Sequence, residues 1–163
     1  LLYLMREKAP EKEALYYEAL SKNVGAVEHI KRTLCRVALK PREKEATSSA
    51  VRYRQGNVNL PLGETVWQAP EVLFDPALID IRDKGLTDLV AEVLKRVDLS
   101  MKPELAQNII LSGGGSIFPG LGERFHSELR AKFPNLPMKV HVLDNPFERV
   151  WSSAVNLARM RVQ

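Results

Sequence analysis

Apolar positions recur along this chain at two spacings, and the switch between them separates helices from strands. Leu1 to about Lys8 reads as helical and stops at Ala9-Pro10, because a residue before proline is pushed out of the helical region. Apolar residues return at helical spacing over Glu13 to Leu20, with Asn23 and Gly25 placed to close or bend that segment. A further helix starts near Gly25. Its stripe is Val27, Ile30, Leu34 and Val37, with Glu28, Lys31 and Arg32 outward and Cys35 and Ala38 as small packing residues beside it. Pro41 to Ser49 carries no apolar period and reads as an exposed loop. Val51–Arg54 and Val58–Leu60 then alternate with period two around Gln55-Gly56-Asn57, which predicts a hairpin ended by Pro61 to Gly63. Thr65–Gln68 reads as one more strand, and Ala69–Phe74 as a short helix with Pro70 and Glu71 in its first turn, stopped by Asp75-Pro76.

The clearest helix is Gly85 to Asp98, whose stripe of Leu86, Leu89, Val90, Val93, Leu94 and Val97 marks it as core rather than site. Asn108–Leu111 is an apolar run suited to a covered strand, and Gly113, Gly114 and Gly115 follow it without a Cβ among them, as close approach of a ligand would require. Pro119 is expected in the first turn of the next helix, so that free helical N–H groups face the glycine turn and can receive an anion or a polar ring edge. That helix carries Leu121, Phe125, Leu129 and Phe133 in one row and ends before Pro134. Met138–Leu143 alternates as a strand. The last helix, from near Glu148 to Met160, places Trp151, Ala154, Val155 and Ala158 on a face expected to dock inward. A closing strand-helix-strand-helix order favours an α/β sheet with helical cover.

Composition narrows the class. A chain of 163 residues, 45% hydrophobic, is about one domain's worth of core, and no apolar run approaches the roughly 20 residues of a membrane span, so a soluble chain is expected. Leu1-Leu2-Tyr3-Leu4-Met5 has no signal-peptide succession and starts as if inside a helix, which suggests a piece of a longer protein. The single cysteine, Cys35, excludes an internal disulfide and a thiolate metal cluster and fits a reducing compartment. His29, His126 and His141 lack a second ligand at helical spacing, so no metal site is expected. The net charge of +4 permits contact with nucleic acid or acidic partners, but basic and acidic residues are interleaved, as on a solvated face. The glycine turn has neither G-x-G-x-x-G spacing nor the Lys-Ser/Thr ending of a P-loop.

Leu111-Ser112-Gly113-Gly114-Gly115-Ser116-Ile117-Phe118-Pro119-Gly120, with Arg124 and Glu128 after it, resembles the actin and actin-related protein family. Ile30-Lys31-Arg32-Thr33-Leu34-Cys35-Arg36-Val37-Ala38, Trp67-Gln68-Ala69-Pro70-Glu71-Val72-Leu73-Phe74-Asp75-Pro76 and Asn145-Pro146 to Trp151 are similar to further motifs of that family, in its order, over about Gly25 to Met160. The resemblance implies the C-terminal half of an actin-like (ribonuclease H-like) α/β fold: a smaller helix-hairpin subdomain over about 1–80 and an inner subdomain of mixed sheet with helical cover over about 81–163, the N-terminal lobe being absent from this chain. The family's two phosphate-holding acidic-glycine hairpins are not found. Asp83-Lys84-Gly85-Leu86-Thr87 imitates one but has the surroundings of a helix start.

What the resemblance implies for a site is adenine nucleotide, ATP or ADP, with Mg2+ if the other lobe is intact. Gly113, Gly114 and Gly115 would let backbone pass beside the nucleotide, Ile117 and Phe118 would line the adenine side, and Lys31 would stand near base and ribose. Arg32 replaces the family's sugar-binding glutamate, Phe147 stands where many members have a lysine over adenine, and Ser153 and Ala154 replace Gly-Gly. These departures point to a divergent member: a structural subunit of a multiprotein assembly, chromatin-remodelling or cytoskeletal. Its expected partners are protein subunits, including actin or other actin-related proteins, with nucleic acid contacted only indirectly and no membrane. The expected location is intracellular, nuclear or cytoskeletal. No catalytic residue is assigned. A filament-forming ATP-hydrolysing actin, a sugar or acetate kinase of the same superfamily, and a pure nucleic-acid binder are the alternatives.

Overall fold

The computed structural model describes residues 1, 2, 4, 18, 20–40, 51–55, 58–143 and 145–160, with backbone alone at 55, 58, 146, 147 and 150. The chain divides into two compact units, Leu1–Leu86 with Phe118–Gly120, and Thr87–Ile117 with Leu121–Gln163.

In the first unit, helix α1 (Val24–Thr33) is started by Asn23, whose side chain accepts the Ala26 N–H at 3.1 Å. Asn23 also ends the preceding segment as expected, its N–H on the Leu20 carbonyl at 2.9 Å, while its carboxamide satisfies one of the free N–H groups in the first turn of the new helix. The helix buries Ala26 and Ile30 and ends before Val37, so the expected four-residue stripe is shared between helix and following coil. Cys35 and Ala38 are buried as expected. Strands β1 (Arg52–Gln55) and β2 (Val58–Pro61) pair antiparallel, Tyr53 opposite Leu60. Pro61 pairs with Arg52 as the last rung of the ladder, and the Leu62 and Gly63 N–H groups both close on the Val51 carbonyl, at 2.9 and 3.2 Å, so the pairing ends over Pro61–Gly63 as the sequence predicts.

Thr65–Gln68 is not a strand. Helix α2 (Thr65–Glu71) takes it in, with Pro70 in its last turn rather than its first. Proline lacks an N–H, which releases the Val66 carbonyl from its helical partner, and that carbonyl accepts the Arg36 N–H at 3.1 Å instead. Val66 and Trp67 are buried with Leu20, Ala26, Ile30, Tyr53, Leu60 and Leu62 in one apolar cluster. A single 3-10 turn, Pro76–Ile79, follows. The expected loop at 41–49 and the hairpin turn at 56–57 lie outside the described residues, as does most of 1–19, where Leu2, Leu4 and Glu18 are helical.

In the second unit, α3 (Leu86–Arg96) buries Thr87, Ala91 and Leu94. Leu89 and Val93, counted on its apolar stripe, are exposed, so the buried face is rotated away from the one the pattern centres on. Helix α4 (Lys102–Gln107) leads to β3 (Ile109–Leu111), which pairs in parallel with β4 (Val140–Val142). The strand is half-buried rather than covered, with Ile110 exposed. Helix α5 (Leu121–Lys132) buries Leu121, Phe125 and Leu129 and stops ahead of Pro134, as the sequence predicts. Helix α6 (Pro146–Met160) packs on the 3-10 turn Gly114–Ile117, yet Trp151, Ala154 and Ala158 are exposed and only Val155 is half-buried, so the expected inward face is not covered. Helices with an antiparallel hairpin in one unit and a parallel strand pair in the other make an α/β chain. No helix among the described residues is long and apolar enough to cross a membrane.

Burial pushes the Cys35 thiol up to about 11, against the opposing charge of Lys31. Two consequences follow for measurement. Native protein is expected to resist iodoacetamide at pH 8 and to react fully once unfolded, because the thiolate is the nucleophile. Between about pH 9 and 11 the unfolded chain has lost this proton and the folded chain keeps it, so stability falls by about 1.4 kcal/mol per pH unit across that window from this group. Cys35→Ala removes that component of the alkaline slope; an unchanged slope would refute the assignment.

Candidate functional site: the glycine turn and the Lys31–Phe118 pair

The glycine turn begins where β3 ends. Gly113 has φ +88, a conformation that side chains disfavour, and its carbonyl accepts both the Ser116 N–H at 3.1 Å and the Ser116 hydroxyl at 2.8 Å. These two bonds close the turn and bury Ser116. A Cβ built at Gly113 or Gly115 meets nothing within 4 Å. Packing therefore does not demand glycine at 115, and only the backbone angle demands it at 113. The turn therefore leaves open space where side chains would stand. Gly114, Gly115 and Ile117 lie in the 3-10 turn on which α6 packs, and Ile117 is half-buried. Phe147 is in the first turn of α6, so the helix that carries it rests on the turn that carries the glycines.

The remaining site residues belong to the first unit. Phe118 is buried, and the Lys31 ammonium stands 5.8 Å from its ring centroid, within reach of a cation–π attraction. Lys31 and Arg32 are both exposed in the last turn of α1, where a cation is favoured by the free carbonyls of the helix end. The structure thus brings Lys31 and Phe118 together in one unit, and the glycine turn with the helix of Phe147 in the other.

Pro119 is not in a helical turn. Its carbonyl accepts the Val37 N–H at 2.8 Å, and Gly120 follows at φ +84, so the helix starts at Leu121. A Cβ at Gly120 would lie 2.5 Å from the Val37 carbonyl oxygen, which ties Phe118–Gly120 to the coil after α1. Only the glycine after a proline hinted at this crossing. Asp83 and Lys84 form an exposed loop in which the Asp83 carboxylate accepts the Lys84 N–H at 2.7 Å, and Leu86 starts α3, in keeping with a helix start rather than a phosphate loop.

Elsewhere in the second unit, sequence reasoning missed a part-buried ionic network. Arg124 donates from Nε to Glu128 Oε1, and Glu128 Oε2 accepts the Thr87 hydroxyl at 2.7 Å. Arg124 and Thr87 are both buried. The signal was present as Arg and Glu one helical turn apart, but only burial makes the pair consequential. No group of three or more His, Cys, Asp or Glu side chains among the described residues could hold a metal ion. Against models of known protein families, the chain matches the one described as Actin over residues 4–161.

Proposed function

The chain belongs to the actin family, and on that premise we propose that it is a divergent actin-related protein, a structural subunit of a multiprotein assembly that holds adenine nucleotide without turning it over. The finer fold reading goes with this proposal: the two units are the helix-hairpin and inner subdomains of the ribonuclease H-like C-terminal half. The observation that carries the nucleotide reading is the Lys31 ammonium over the buried Phe118 ring, two residues assigned to the base side and found in contact. Within the second unit, Gly113 and Gly115 have open space where side chains would stand, in keeping with this reading.

Arg32 argues for a holding role. A guanidinium has only donors, so it cannot accept hydrogen bonds from sugar hydroxyls as a glutamate would. Phe147 offers a ring face in place of an ammonium, suited to stacking rather than to charge. Nucleotide that binds only the folded state adds stability by mass action, about 2.7 kcal/mol at a hundredfold excess over Kd. The basic balance, +4, suits a nuclear chromatin-remodelling assembly better than a filament.

The test is calorimetry with ATP and ADP on the full-length protein, alongside phosphate release and size analysis of native extract. Nucleotide is expected to bind, with hydrolysis at background, and the protein to migrate in a complex much larger than itself. Lys31→Ala is expected to weaken binding about 3- to 10-fold, the loss of one exposed cation facing an anionic ligand. Rapid hydrolysis with polymerisation would instead make it a filament-forming actin. Phosphate transfer to a sugar or acetate would make it a kinase of the superfamily.

A further inference from the structure

The hairpin presents a charged face that nothing above uses. Tyr53 and Leu60 face each other across the ladder and are both buried, so the pleat turns Arg52 and Arg54 to the opposite, solvent side, with Asn59 across from Arg54. Arg52 is braced there: its Nε donates to the Asn59 carboxamide oxygen at 2.8 Å, a diagonal cross-strand contact that fixes the guanidinium plane. Among the described residues neither arginine is in an ion pair, whereas Lys22, Arg96 and Lys132 are each matched by a carboxylate. The sequence explains why. Acidic and basic residues alternate closely through most of the chain, yet no Asp or Glu occurs from residue 46 to residue 63.

Two arginines at alternate strand positions are about 6.8 Å apart, two rises of an antiparallel strand. A second extended chain has the same pitch, so carboxylates at its alternate positions meet both guanidinium forks in register, each able to bond in bidentate fashion. Nucleic acid fits less well. Two cations release counterions from about two phosphates, a salt slope of roughly −2 and weak binding, and the interleaved charges elsewhere supply no longer basic track. We propose that the solvent face of the β1–β2 hairpin, Arg52 and Arg54 with Asn59 bracing the first, docks an extended acidic polypeptide segment with carboxylates at alternate positions. This names the chemistry of a partner and rests on the reading of the chain as an assembly subunit.

The experiment uses the full-length protein and a fluorescein-labelled twelve-residue peptide of alternating Glu and Thr, read by anisotropy at low salt. Parallel probes are the Lys-Thr counterpart and a poly-uridine strand. Wild type is expected to bind the Glu-Thr peptide and not the Lys-Thr one, Arg54→Ala to weaken binding about threefold, and R52E/R54E to weaken it at least tenfold. Because both side chains are exposed, the double variant should keep the wild-type thermal midpoint and nucleotide affinity, which separates loss of the face from loss of the fold. Equal binding of the Glu-Thr peptide by wild type and R52E/R54E overturns the proposal, as does no binding by wild type. Retention of poly-uridine with rejection of the acidic peptide overturns it in favour of nucleic acid. Peptide binding by a protein that migrates alone in native extract would leave this face standing and remove the assembly reading.

Discussion

Gly85→Ala is expected to be severely destabilising. A Cβ at that position would stand 1.9 Å from the Phe74 carbonyl oxygen, 2.6 Å from its carbon and 3.1 Å from its Cα. Those atoms are backbone and cannot rotate aside as a flexible side chain would. They are also held, with Phe74 N–H on the Glu71 carbonyl at 2.9 Å and Leu86 N–H on the Leu73 carbonyl at 2.8 Å. Relief requires breaking such bonds, so the cost should exceed the usual 1–3 kcal/mol of overpacking and reach about 3–5 kcal/mol. Urea unfolding of the full-length protein reads it as a lowered midpoint with an unchanged slope. Gly115→Ala, with no atom within 4 Å of its Cβ, is the control and should stay within about 0.5 kcal/mol. Gly113→Ala lies between them at about 1–2 kcal/mol, because its φ of +88 is strained for any side chain even in open space. If Gly85→Ala were as mild as Gly115→Ala, the close approach of the Gly85 and Phe74 backbones would be refuted.

Glu128→Ala should also be costly, at about 2–4 kcal/mol, below the full cost of breaking a fully buried ion pair because the carboxylate side of this pair is part-exposed. Arg124 is 1% exposed and cannot shed its charge, so losing the carboxylate removes the counter-charge bonded to its Nε and takes the acceptor from the Thr87 hydroxyl as well. Arg124→Met should cost less. The Glu128 side chain keeps 22% of its surface, so the carboxylate it leaves behind has access to water and to a proton. The diagnostic variant is R124M/E128L, expected to be more stable than Glu128→Ala alone, since both charges leave together and apolar groups fill their space. Purely additive losses in this double-mutant cycle would mean that the two side chains are not coupled.

The elements legible beforehand were those whose neighbours are local. Leu121, Phe125 and Leu129 recur every four residues and are cut off by Pro134, and the structure buries all three in one helix. The hairpin was equally plain, because period-two alternation on both sides of a short turn has few other solutions. Thr65–Gln68 misled because β-branched and aromatic residues favour strands on average, while here the helix is set by what it packs among: Val66 and Trp67 enter the apolar cluster, and Pro70 frees a carbonyl for Arg36. At the candidate site, the glycines and the Lys31 and Phe118 types could be read from the family motifs. Their grouping could not, since Phe118–Gly120 belongs with the first unit although the residues on both sides belong with the second.

By itself, then, the order of residues determined the family, the α/β class and which side chains share a face, since motif and period are properties of one dimension. Only the tertiary structure decided which of those faces is covered: Leu89, Val93 and Trp151 keep the helical period yet remain exposed, while the charged Arg124 is buried. The reason is that periodicity describes a segment's own geometry, whereas burial depends on a neighbour that the segment does not encode.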